Sequence, residues 1–146
     1  MEIEGYTKRE EEYLEAIYLK GNGDRGARIV DLSRELKVSP PSVVGFLRKL
    51  ERKGLIIYEK GGCVRLTEEG LKVAKRIHER HLILEKFLVN VLGVSLEVAE
   101  RDACQIEHVI HPETLSKIAR FTVFVQDVLM KKKSLQELYK KYMNRA

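Results

Sequence analysis

Between Lys8 and Lys20 the apolar residues Tyr13, Leu14, Ile17 and Tyr18 recur at helical spacing, and Thr7 with Glu10 has the form of a capping box. The spacing predicts a first helix, ended by Gly21-Asn22-Gly23. Ile29, Leu32 and Leu36 mark a second, shorter helix that closes at Lys37-Val38. Ser39 is a good N-cap and Pro40 suits the first helical position, so a third helix is expected from about Pro41 to Lys53, with Val43, Leu47 and Leu50 facing inward. Two short helices joined by a tight turn form a helix-turn-helix pattern.

The period then changes. Leu55 to Lys60 is rich in β-formers, Gly61-Gly62 offers a tight turn, and Cys63 to Leu66 reads as a returning strand, a hairpin in the position of a wing. Thr67 and Gly70 open a long helix to about Val91, on which Leu71, Ala74, Ile77, His81, Leu84, Leu88 and Val91 return every three or four residues. Gly93 stops it, Ser95 caps a fifth helix to about Val109, and Pro112 starts a sixth. Helical patterns continue through Val123–Met130 and Leu135–Tyr142. The architecture expected is mainly α with a small β-hairpin: a winged helix-turn-helix domain over residues 1–70, then an all-helical region over 71–146. The one-sided apolar stripe of the fourth helix, with Ile77, Leu84, Leu88 and Val91, asks for a covering surface, so a two-fold dimer whose interface is built mainly from the fourth and fifth helices is expected.

Composition narrows the function. The 146 residues are 44% hydrophobic and 34% charged, a globular balance with room for one ordinary domain or two small ones. No apolar run approaches the roughly 18 residues of a spanning helix, and Met1-Glu2-Ile3-Glu4 lacks the start of a secretory signal, so a cytoplasmic protein without a membrane role is expected. The two cysteines, Cys63 and Cys104, are too few for a disulfide framework. The net charge of +5 is unevenly spread: residues 28–65 hold nine basic and four acidic side chains, residues 1–27 four basic and seven acidic. A basic middle suits an anionic partner, nucleic acid first among them, with a merely solvated charged surface as the other reading.

Both readings meet on the third helix. Ser42, Val44, Gly45, Arg48, Lys49, Arg52 and Lys53 lie on or near its outer side, and hydroxyls and cations there suit phosphates and base edges. Ser39, Pro41, Arg28 and Lys60 complete the set expected to meet DNA. The fifth helix carries Cys104, Glu107 and His108 at i, i+3 and i+4, so thiolate, carboxylate and imidazole share a face, a donor mixture suited to a divalent transition metal. On the fourth helix His78 and His81 are three apart, and His81 and Glu85 four apart. Taken singly, each has a plainer reading, as a small buried Cys or an ordinary His–Glu hydrogen bond.

Several segments in order resemble the diphtheria-toxin-repressor family of iron- and manganese-dependent transcriptional regulators: Glu12-Tyr13-Leu14-Glu15-Ala16-Ile17-Tyr18, Val38-Ser39-Pro40-Pro41-Ser42-Val43, Leu66-Thr67-Glu68-Glu69-Gly70, Arg80-His81-Leu82-Ile83-Leu84-Glu85 and Asp102-Ala103-Cys104-Gln105-Ile106-Glu107-His108. The resemblance implies a dimeric repressor in which Fe²⁺ or Mn²⁺ (Co²⁺, Ni²⁺ or Zn²⁺ in vitro) favours binding to a palindromic double-stranded operator. It implies a principal metal site of Glu12, Cys104, Glu107 and His108, and an ancillary one of His81, Glu85 and Glu100. Departures matter too. Iron-type relatives have methionine at Glu12 and histidine at Glu100, manganese-type relatives a carboxylate at Cys104, and Glu15 matches a manganese-type ligand position. Gly45 replaces a base-reading glutamine, and the SH3-like domain of longer iron-type members is not expected. A metalloenzyme is the rival class, but no HExxH, Ser-His-Asp set or phosphate loop accompanies the donors. A metal-independent or small-molecule-responsive winged-helix regulator is the other.

Overall fold

Thr7 and Glu10 close the capping box reciprocally, Glu10 Oε2 accepting the Thr7 N–H at 3.0 Å and Thr7 Oγ1 the Glu10 N–H at 3.3 Å. From there α1 (Lys8–Lys20) runs with Tyr13, Leu14, Ala16 and Ile17 buried. The computed structural model describes residues 2–3, 5–21, 25–59 and 61–145 and divides into two units, Met1–His78 and Glu79–Ala146. Asn22 and Gly23 of the expected turn lie outside the described residues.

In the first unit a short strand pair, β1 (Glu2–Ile3) with β2 (Tyr6–Thr7), precedes α1. β3 (Ala27–Arg28) leads into α2 (Ile29–Leu36) and α3 (Pro40–Arg52), and β4 (Ile56–Glu59) and β5 (Cys63–Leu66) follow. The α2–α3 turn is made by Lys37 in the left-handed region, φ 54°, and is held as the Ser33 hydroxyl donates to the Val38 carbonyl at 2.6 Å. The wing, expected as a two-strand hairpin, has three antiparallel strands in the order β3-β5-β4, with Tyr58 opposite Val64 and Arg28 opposite Cys63. Two-residue strands carry no readable period, which is why β3 and the N-terminal pair were not anticipated.

Leu32, Val43, Leu47, Leu50, Leu55, Ile56, Val64, Val73, Ala74 and Ile77 join the α1 residues in one core. Each large side chain buried there contributes on the order of 1.5–3 kcal/mol relative to exposure. Helix α4 (Glu68–Asn90), within which the unit division falls, starts against the wing. Thr67 Oγ1 donates to the Gly54 carbonyl at 2.7 Å and accepts the Gly70 N–H at 3.1 Å. A Cβ on Gly70 would stand 1.9 Å from the Leu55 carbonyl oxygen, so this crossing needs glycine.

The second unit holds the rest of α4, α5 (Leu96–Ile106), α6 (Pro112–Phe124), a wider π turn over Val125–Leu129 and α7 (Lys133–Met143). Leu84, Ala103 and Leu115 form its core with Ile83, Ile106, Ile110 and Ile118. Helix α5 stops three residues before the expected Val109. His111, preceding Pro112, is extended (φ −68°, ψ 140°), as residues before proline must tend to be, and its Nδ1 caps α6 at the Glu113 N–H. One expectation is corrected. Ile77, Leu84, Leu88 and Val91 are 1%, 2%, 9% and 2% exposed within the single chain, so they need no partner to cover them. Exposed apolar side chains of this unit instead include Leu96 and Val98 on α5, and Phe121, Phe124 and Val128 further on. No helix among the described residues is long and apolar enough to cross a membrane.

Candidate metal centre and nucleic-acid interface

Within the second unit, α4 and α5 bring three kinds of donor together. His81 Nδ1 lies 2.8 Å from Glu107 Oε2 and 3.7 Å from Cys104 Sγ. Ligand atoms of His81, Cys104 and Glu107 all lie within 4.8 Å of one another. On its other side His81 Nε2 is 3.4 Å from Glu85 Oε2, and Glu107 Oε1 is 3.1 Å from His108 Nε2. Glu107 and His108 are buried, whereas Cys104 is on the exposed side of α5.

Local folding explains the convergence. Cys104 points from the last turn of α5, and Glu107 is its C-cap residue, with a helical φ of −56° and its N–H still bonded to the Ala103 carbonyl. Cys104 and Glu107 therefore keep the i, i+3 relation of a helix, whereas His108 follows the helix end and meets the opposite oxygen of Glu107. The resemblance divides His81 from Cys104 and Glu107, but the geometry joins them: its two ring nitrogens face Cys104 and Glu107 on one side and Glu85 on the other. Glu100 is exposed and is not among the grouped donors of the described residues.

The electrostatics of the cluster favour a cation. Cys104 foremost, then Glu107, push the His81 imidazole up to about 11 against the opposing effect of burial. Without a metal, a proton on His81 supplies the positive charge this pocket of acids prefers. Sulfur, nitrogen and oxygen donors at this spacing fit a divalent transition ion better than calcium or magnesium.

The carboxylates of α1 belong to the first unit. Glu12, one-quarter exposed, bonds Arg9 Nη1 at 2.9 Å with Lys8 Nζ at 4.0 Å. Glu15 is buried, with Oε1 3.5 Å from His78 Nδ1.

On α3, Ser39 caps the helix by accepting the Ser42 N–H at 3.4 Å, and its hydroxyl lies 2.9 Å from that of Ser42. Pro41 and Ser42, then Gly45 and Arg48 at steps of three from Ser42, are exposed, with Val44 half-buried beside them. A Cβ on Gly45 would meet nothing within 4 Å. Arg28 is exposed, its guanidinium held on Asp31 at 2.8 and 3.3 Å. Lys60 lies outside the described residues. Lys49 differs from the others: its Nζ is 3.1 Å from Glu10 Oε1, and Lys53 Nζ is 2.7 Å from the same oxygen. Glu10 is fully buried on the apolar face of α1. Burial alone would raise its carboxyl, but Lys53, the Thr7 N–H and Lys49 together hold it down at about 2. This role was missed from sequence, although two signals carried it: Glu10 falls in register with Tyr13, Leu14 and Ile17, and Lys49 and Lys53 are like charges at i, i+4.

Residues 6–64 match the family model "Iron dependent repressor, N-terminal DNA binding domain", and residues 67–129 match "Iron dependent repressor, metal binding and dimerisation domain". The chain is 34% identical over 138 residues to the HTH-type transcriptional regulator MntR of Bacillus velezensis, covering 94% of this chain and 96% of that protein. Among solved structures it resembles T. acidophilum IdeR, with a TM-score of 0.70, 28% identity and coverage of 87% of this chain and 57% of that one. It also resembles a manganese-dependent transcriptional repressor in complex with manganese, with a TM-score of 0.69, 27% identity and coverage of 79% and 53%.

Proposed function

Because this chain belongs to the iron-dependent repressor family, and is a metal-responsive transcriptional repressor rather than an enzyme, we propose that His81, Cys104 and Glu107 are the core of its metal sensor. The single observation that carries this is the convergence of imidazole, thiol and carboxylate within 4.8 Å. His108 stands on the second oxygen of Glu107 and Glu85 on the second nitrogen of His81, where each fixes the orientation of its neighbour. The resemblance also gives the metal Glu12 and Glu15, and that part of the reading rests on the sequence motif. When bound, a divalent ion supplies the positive charge that otherwise comes from a proton. His81, Cys104 and Glu107 would hold the ion by nitrogen, sulfur and oxygen, and the proton on His81 would have to leave for the ion to bind.

The thiol decides the finer preference. Sulfur is a softer donor than the carboxylate of manganese-type relatives, so Cys104 favours Fe²⁺ over Mn²⁺, while Glu12, hard where iron-type relatives have methionine, retains a response to Mn²⁺. DNA is met by α3 through Ser39, Pro41, Ser42, Val44, Gly45 and Arg48, with Arg28 beside the wing. Metal lowers the disorder lost when two such heads of a homodimer dock on successive major grooves, roughly 34–36 Å apart. The dimer surface is the stripe of Phe121, Phe124 and Val128, whose two rings stack at 6.3 Å and remain exposed in the single chain. The test is DNA binding by metal-free protein with Mn²⁺, Fe²⁺, Co²⁺, Ni²⁺ and Zn²⁺ added separately under anaerobic conditions. Activation by Fe²⁺ at lower free concentration than Mn²⁺ is expected. Equal affinity with every metal and with none contradicts the reading.

A further inference from the structure

We infer that Glu10 is an internal counter-ion for the DNA-reading helix, occupying Lys49 and Lys53 so that α3 holds DNA less by sequence-independent charge and more by its other contacts. Lys49 in the last turn of α3 and Lys53 at its C-cap, four residues on, both reach a carboxylate that is itself fully buried in α1. Glu10 Oε2 accepts the Thr7 N–H, and Oε1 lies within ion-pair distance of both ammonium groups, 3.1 Å from Lys49 Nζ and 2.7 Å from Lys53 Nζ. A buried carboxylate stripped of its cations is strongly disfavoured, so a DNA phosphate must compete with Glu10 for each lysine. The neighbourhood keeps the arrangement rigid: Tyr13 of α1 stacks on Phe46 of α3 at 4.2 Å, and Lys49 Nζ lies 5.4 Å from the Phe46 ring centre. Glu10 is therefore a positioning residue for DNA recognition. It withholds about two phosphate contacts that the sequence of α3 alone offers.

The inference rests on α3 facing DNA, and the experiment separates the two. Binding of Mn²⁺-loaded full-length protein is measured across salt concentrations on a random-sequence duplex and on a duplex selected from a random pool by the wild type. Arg48→Ala reports on the underlying reading: its log K against log salt slope becomes shallower by about 1 if α3 meets phosphate. Glu10→Gln keeps an acceptor for the capping bond and removes the charge. Its slope is expected to steepen by about 1–2, with random-duplex affinity at low salt rising roughly 3- to 10-fold and the ratio of selected to random affinity falling. In the wild-type background Lys49→Ala and Lys53→Ala leave the slope nearly unchanged, while in the Glu10→Gln background each removes about 1. A merely structural ion pair would lower the melting temperature without steepening the slope. A folded Glu10→Gln protein with an unchanged slope overturns the inference. If that variant does not fold, the single lysine variants decide: a loss of about 1 from each in the wild-type background overturns it, and unchanged slopes support it.

Discussion

Gly70 and Gly45 show how one residue type serves opposite needs. At Gly70 a methyl group would collide with the Leu55 carbonyl oxygen, a backbone atom that cannot turn aside, whereas at Gly45 it would enter open space on the outer face of α3. Gly70→Ala should therefore cost about 3 kcal/mol or more, read as a lower denaturant midpoint. Gly45→Gln should instead stabilise α3 by roughly 0.5–1 kcal/mol, since glycine is a poor helix former, and should change which duplexes a random-pool selection recovers. A destabilised Gly45→Gln with unaltered base preference would remove that position from the DNA-facing surface. His81 carries a proton that bears on metal binding. Its imidazole is held up to about 11 by Cys104 and Glu107, so at neutral pH metal must displace that proton. Calorimetry in buffers of different ionisation heat should show release of about one proton or more per ion, and Co²⁺ should give a thiolate charge-transfer absorption that Cys104→Ala lacks. Proton-neutral binding contradicts this assignment.

Helix α1 and helix α3 are tied by Glu10, Lys49 and Lys53, and the tie has a pH signature. The folded-state carboxyl lies at about 2, below its ordinary 4.5. A depressed carboxyl contributes stability that is fully present above the unfolded value and is lost as pH falls from about 4.5 towards 2. Thermal melts of wild type should thus converge on those of Glu10→Gln across that window, and a constant difference in melting temperature from pH 6 to pH 2.5 would show that the charge contributes nothing. The helices around this tie were legible in sequence because each has a clear period with its cap: Thr7 and Glu10 for α1, Ser39 and Pro40 for α3. Other features were not. β3 is two residues long, and the end of α5 was set by the demand of Pro112 on His111 rather than by hydrophobic spacing. Cys104 and Glu107 were visible as a pair on one helix, but their meeting with His81 is a tertiary event between residues more than twenty positions apart, which no local period encodes.

At the scale of the whole molecule, the apolar stripe of α4 illustrates the same limit. A sequence shows that Leu84 and Leu88 must be covered but not by what, and the chain covers them itself. The stacked rings of Phe121 and Phe124 are exposed in the single chain and carry the proposed dimer surface. Phe121→Glu with Phe124→Glu should convert a dimer to monomers in sedimentation equilibrium at micromolar concentration while leaving the melting temperature nearly unchanged. A persistent dimer would direct attention to Leu96 and Val98 on α5 instead. The central claim is that metal at His81, Cys104 and Glu107 controls DNA binding, and it is tested most directly by measuring DNA affinity against free Mn²⁺ and Fe²⁺ for the wild type and Cys104→Ala. The wild type should gain roughly tenfold or more in affinity with either ion, within the usual range of coupling between two sites, and Cys104→Ala should lose most of that gain while keeping its fold. An activation curve for Cys104→Ala that overlays the wild type for both ions would contradict the account.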